Sequence, residues 1–215
     1  MSQELATILF YGNEGTQPEA FTGLAPRFND LSAENADNII DTGGTGADNA
    51  SIWLVVWGPN TCHGIVPKGS TAGLKVTDKG LVTIEDADGS NGGRMEAYRT
   101  HYRLDAGLTV RDWRFIVRIC NIDKSLLLPG HGTGDDLPDS MFQAMRMIPN
   151  LAGGRPVFYM SRDVASMVAR QVAVDGASSF LTSESNAGDM RWTERFHGIP
   201  MRRVDALSAN EARVT

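Results

Sequence analysis

The chain has 215 residues, 41% hydrophobic and 21% charged, a balance that supports a packed core and sets disorder aside. Its net charge of −6 argues against a protein whose main task is gripping nucleic acid, because phosphate binding needs a basic stripe. No run approaches the ~20 apolar residues of a membrane-spanning helix, and Met1–Phe10 has Gln3 and Glu4 where a secretory signal carries positive charge, so synthesis inside the cell is expected.

Leu5, Ile8 and Leu9 fall at helical spacing behind Ser2, a candidate cap, and Gly12 and Asn13 stop the pattern, which predicts the last turns of a helix. From Gly12 to Ala50, Gly, Pro, Asn and Asp recur at turn spacing and predict a long ordered loop anchored by Phe21, Leu24, Phe28, Ile39 and Ile40. A loop of that length serves binding or lies against a neighbour. SIWLVVW, residues 51–57, is an unbroken apolar run closed by Gly58 and Pro59, which predicts a strand buried on both faces. Trp53 and Trp57 are candidate core residues there, and Trp57→Ala is expected to cost about 3 to 5 kcal/mol.

LKVTDKGLVTIED, residues 74–86, predicts a short hairpin turning at Lys79 and Gly80. In residues 94–104, Tyr98, Thr100, Tyr102 and Leu104 alternate with Arg99, His101 and Arg103, the pattern of a half-buried strand. Trp113, Phe115, Val117 and Ile119 repeat it after a turn at Ala106 and Gly107, and Trp113 is a third candidate core residue. Two such strands place Arg99, Arg103, Arg114 and Arg118 on one polar face, either solvated or in contact with acids of an adjoining subunit. Leu137, Met141, Ala144, Met145 and Ile148 then predict an amphipathic helix from Asp136 to Pro149. A strand, PVFYM, follows, and Ser161 caps a second helix with Val164, Met167, Val168, Gln171 and Val172 on its stripe until Gly176. GIPMRRVDAL supplies a last strand running into a polar tail.

Signs of chemistry are thin. HGTGDD, starting at His131, has no Lys and Ser or Thr in the positions a phosphate loop needs. His63, His101, His131 and His197 are scattered without ligand spacing, and Cys62 and Cys120 sit beside apolar segments as expected of buried thiols. Ser161 and Ser166 lack a nucleophile signature, and Asp105, Asp112, Asp135 and Asp136 fit turns and helix caps. Packing explains the tryptophans, Trp192 included, better than a sugar site does. The residues point to no catalytic group, no cofactor and no metal.

Several stretches resemble tailed-bacteriophage major capsid proteins of the Hong Kong 97-type fold: ELATILFYGN, PEAFTGLAPRFN, DTGGTGADNASIWLVVWGPNTCHGIVPKGSTAGL, EAYRTHYRLDAGLTVRDWRFIVRICNID and FHGIPMRRVDAL. The resemblance implies an α+β fold with a peripheral domain, a spine-helix end and antiparallel sheet mostly within residues 1–125, and an axial domain, a central sheet flanked by helices mostly within 126–215. It implies a non-enzymatic subunit of an icosahedral head, made in the bacterial host cytoplasm and located in the virion. Copies of the chain would form hexamers and pentamers that enclose double-stranded DNA without specific binding, with no membrane partner. Scaffold, portal and decoration proteins are further candidate partners. The upstream arm and extended loop of that family are missing here, on this reading. Two other functions stand beside it: another virion component, for decoration or head completion, and a small hydrolase or carbohydrate-binding domain using His101 or His131.

Overall fold

A computed structural model describes residues 2–46, 48–69, 73–85, 93–124, 136–174, 181–185, 192–207 and 210–215. They divide into two units, residues 1–63 with 108–215, and residues 64–107.

Helix α1 (Ser2–Tyr11) opens the larger unit, followed by β1 (Ile39–Asp41), β2 (Asn49–Trp57) and the start of β3 (Cys62–Ile65). The smaller unit holds β4 (Leu74–Glu85) and β5 (Arg94–Leu104). The chain then returns through β6 (Gly107–Val110) to β7 (Ile116–Asp123), α2 (Leu137–Met147), β8 (Arg155–Met160), α3 (Arg162–Val174), β9 (Leu181–Ser185), β10 (Trp192–Phe196) and β11 (Ile199–Arg203). The main path of the larger sheet runs β1-β7-β2-β8-β11-β10-β9. Its β1–β7 and β8–β11 pairs are parallel, and β7–β2, β2–β8, β11–β10 and β10–β9 are antiparallel.

Alternate side chains of β2 feed two cores. Ile52, Leu54 and Val56 pack with Met141 and Ala144 of α2 and with Val164 and Val168 of α3. Trp53 and Val55 pack with Phe10 of α1, Leu24 and Phe28 of the long loop, and Leu207 and Val214 near the C-terminus. A sheet covered on both faces is why β2 reads as a continuous apolar run. Each fully buried aliphatic side chain here contributes about 1.5 to 3 kcal/mol.

Local signals set the helix ends. The Asp136 carboxylate accepts from the Asp139 N–H at 3.2 Å, and Leu137, Met141 and Ala144 face inward. Ser161 Oγ accepts from the Val164 N–H at 3.4 Å, capping α3 as its sequence predicts. Gln171 of α3 then accepts from the Leu137 N–H at 3.1 Å, filling a donor that the first turn of α2 leaves open. At the end of α1, a Cβ on Gly23 would stand 2.7 Å from the Ile8 carbonyl oxygen, so only glycine lets the loop lie this close to the helix.

The structure departs from the sequence reading at several points. The Gly12–Ala50 loop contains a strand, β1, whose Ile40 and Ile39 enter the two different cores. Three residues are too few to show periodicity, and β1 exists because β7 offers it a parallel partner. Trp113–Phe115 forms a 3-10 turn begun by Asp112, and Trp113 is 37% exposed, so Trp113 is not core. β2 pairs with β7 on one side and β8 on the other, so residues before and after 125 share one sheet.

In the smaller unit, Lys79 and Gly80 make no hairpin turn. β4 continues through them and pairs with β5 on either side, with a register shift between Asp78 and Leu81. Gly80 takes a positive φ of 67°, and its N–H donates to Asp78 Oδ1 at 2.8 Å. The motif that resembles a turn is a β-bulge, one extra residue inserted into a long strand. β5 is exposed along most of its length, not half-buried.

Candidate interaction surface

A buried polar hub holds the larger unit's termini in place. The Arg118 guanidinium on β7 donates to Glu211 Oε2 at 2.7 Å, Ser51 Oγ at 3.2 Å and the Phe28 carbonyl at 2.6 Å. Tyr11 Oη donates to Glu211 Oε1 at 2.5 Å, and Ser51 donates to Glu211 Oε2. Arg118 also lies 5.0 Å over the Trp53 ring. The Glu211 N–H donates to the Asn49 carbonyl, an isolated antiparallel bridge that ties the tail to the start of β2. Beyond it, Asn121, in the left-handed region at φ 59°, clamps Val214 through hydrogen bonds of 2.9 and 2.8 Å. An open cleft lies beside the hub, lined by Tyr11, Pro26, Asn29, Arg118 and Glu211. Its two central charges already satisfy each other, which suits a structural joint better than a reactive site.

The four arginines expected on one polar face separate. Arg118 is 3% exposed, and its charge is spent inside its own chain. An unbroken strand buried on both faces leaves no polar side for it, and a long side chain reaching Glu211 satisfies the burial. Arg114 stays exposed and pairs with Asp112, whose carboxyl is held below the usual range by that hydrogen bond. Arg99 and Arg103 lie exposed in the smaller unit, and Arg103 pairs with Asp105 at 2.8 Å. Trp53 is fully buried, and Trp57 is half-buried with its indole N–H donating to Tyr159 Oη at 2.8 Å.

Cys62 and Cys120 are buried free thiols, pushed up to about 11 and about 12 by burial. His101 lies exposed on β5, while His131 and Asp135 fall outside the described residues. Among the described residues no cluster of His, Cys, Asp and Glu could hold a metal, and no helix is long and apolar enough to cross a membrane.

Among the described residues most of the exposed large apolar side chains belong to the smaller unit, with Val174 of α3 an exception in the larger. Cross-strand pairing places Leu74, Val76 and Leu81 opposite Leu104, Tyr102 and Tyr98 on one face of the ribbon. The other face carries Lys75 opposite Arg103, and Thr77 opposite His101, with Ile84 opposite Met95 farther out. Sequence reasoning missed this two-faced ribbon because it ended β4 at Gly80.

The described residues form a mixed α+β chain with a large sheet, three helices and, in the smaller unit, an exposed two-stranded ribbon. The whole chain, residues 1–215, matches the model of the family described as major capsid protein GP7. The chain belongs to that family. Among solved structures it is similar to a chain in the cryo-electron microscopy structure of bacteriophage Epsilon15, with 35% identity and a TM-score of 0.60. That match covers 99% of this chain and 63% of the other, so the chain spans less than two thirds of its relative's length. No curated protein sequence matches it.

Proposed function

We propose that the chain is a structural subunit of an icosahedral phage head, self-assembling into hexamers and pentamers that enclose double-stranded DNA. The observation that carries this reading is the family match over all 215 residues, supported by likeness to the Epsilon15 capsid chain. On the Hong Kong 97-type plan the division near residue 125 runs through one sheet, so the axial part takes in β2 and β7 as well as β8 and β11. Identical subunits close a shell through heterologous contacts, and exposed apolar surface supplies them where an enzyme would carry a pocket. A net charge of −6 fits a wall that surrounds DNA without gripping it. The protein is made in the host cytoplasm and resides in the virion, with scaffold, portal and decoration proteins as candidate further partners.

Electron microscopy and sedimentation of the purified protein test the proposal. Hexameric rings or closed shells are the expected outcome. Monomers persisting at high concentration would overturn it.

A further inference from the structure

We propose that α1, the loop residues 23–31 and the tail residues 210–215 form one layer on the sheet of the larger unit, locked at Arg118 and released as a single cooperative step while α2 and α3 stay folded. The inference concerns the single chain and is independent of the shell reading.

These three pieces reach the sheet through side chains more than through backbone. The Phe10 ring of α1 lies 6.1 Å from that of Trp53 and 5.8 Å from that of Tyr159, and the Phe28 ring of the loop meets Trp53 edge-on at 6.0 Å. Leu24 and Val214 are buried in the same core. Among the described residues, the one isolated β-bridge between these pieces and a strand pairs Glu211 with Asn49. A segment seated this way leaves its sheet without breaking the sheet's own pairing, as sub-global openings do. β2 and β7 keep each other, flanked by β8 and β1.

The pieces also hold one another. The Leu24 N–H donates to the Leu9 carbonyl at 3.0 Å, and the Gly23 N–H to the Gly12 carbonyl at 2.8 Å, which ties the loop to the end of α1. The Leu31 N–H donates to the Thr215 carbonyl at 3.2 Å, which ties the loop to the tail. Tyr11 closes the circle by donating from α1 to Glu211 of the tail. Each piece is therefore bonded to the other two.

Arg118 makes the release all-or-none. If the tail leaves alone, the guanidinium loses Glu211 while the Phe28 carbonyl and the Trp53 ring still stand against it. A buried charge stripped of its partner is strongly unfavourable. Water reaches Arg118 when the loop lifts as well, and the loop carries α1 with it through Gly23 and Leu24. Partial openings are thus costly, and the geometry favours two states, seated and released. The two share the α2–α3 core and differ in what covers the opposite face of the sheet.

Native-state hydrogen exchange of the full chain, followed by NMR in urea below the unfolding transition, tests this. The reporters are the amides of α1 together with those of Leu24, Phe28, Leu31, Glu211 and Val214. The expected result is that all of them converge on one opening equilibrium with one urea dependence, while amides of α2 and α3 exchange roughly tenfold or more slowly. Segments that open with separate urea dependences, or only together with α2 and α3, overturn the proposal. As a second measurement, Glu211→Gln keeps the shape of the side chain and removes its charge. It is expected to speed exchange at Leu24 and in α1 by roughly a hundredfold, the size expected for breaking a buried pair, with α2 and α3 unchanged. Acceleration confined to residues 210–215, or shared equally by α2 and α3, overturns it. If the variant does not fold, the exchange pattern of the unsubstituted chain decides.

Discussion

Arg118 illustrates how a charged residue can be wholly structural. With side-chain exposures of 4% and 6%, Arg118 and Glu211 are removed from water together, so removing one strands the other. Arg118→Met is expected to destabilise the chain by about 3 to 5 kcal/mol in urea unfolding, and replacing both partners with methionine to recover much of that loss. Trp53→Ala is expected to cost about 3 to 5 kcal/mol, and Trp57→Ala less, because Trp57 keeps part of its surface in water. Both thiols lie above their ordinary value of 9.0 in the folded chain, so folding favours their protonated form. That contribution is complete below about pH 9 and is lost as pH rises toward 11 to 12. Ellman's reagent at neutral pH should accordingly react with neither Cys62 nor Cys120 until the chain is unfolded; rapid reaction of the native protein would contradict their burial. The burial of Trp53 and of both cysteines was legible in the apolar runs around them. The fate of Arg118 was not, since alternation alone cannot distinguish a solvated polar side from one sealed by a tail 93 residues away.

Among the elements, the ribbon and the central strands should behave differently. β2 and β7 are buried along almost their full length, whereas β4 and β5 are largely exposed. In the unassembled chain, amide hydrogen exchange should therefore be fastest in residues 74–85 and 94–104 and slowest in 50–56 and 116–122. Gly80→Val forces a β-branched side chain into φ 67° and is expected to speed exchange across β4 while leaving β2 unchanged. Equal effects on both would contradict the ribbon's independence. The double-faced burial of β2, the caps of α2 and α3 and the strand β8 followed from apolar period and cap chemistry. The bulge did not, because Asp-Lys-Gly satisfies the local requirements of a turn and only the long partner β5 decides otherwise. β1 and the β10–β11 turn at His197 and Gly198, where both φ angles are positive, likewise depend on partners distant or too short to register as a pattern.

For the whole molecule, the larger unit reads as a finished core while the ribbon reads as an unfinished one. The larger unit closes both sheet faces and ties down its own C-terminal tail through Glu211 and Val214. The smaller unit leaves its apolar face open. In the proposed shell, copies of one chain would resolve that imbalance by covering each other, through contacts that are individually weak and sum over the assembly. The most direct measurement is electron microscopy of the protein expressed from its complete gene and concentrated at low salt. The account predicts hexameric rings or closed shells. A field of uniform monomers under those conditions would contradict it.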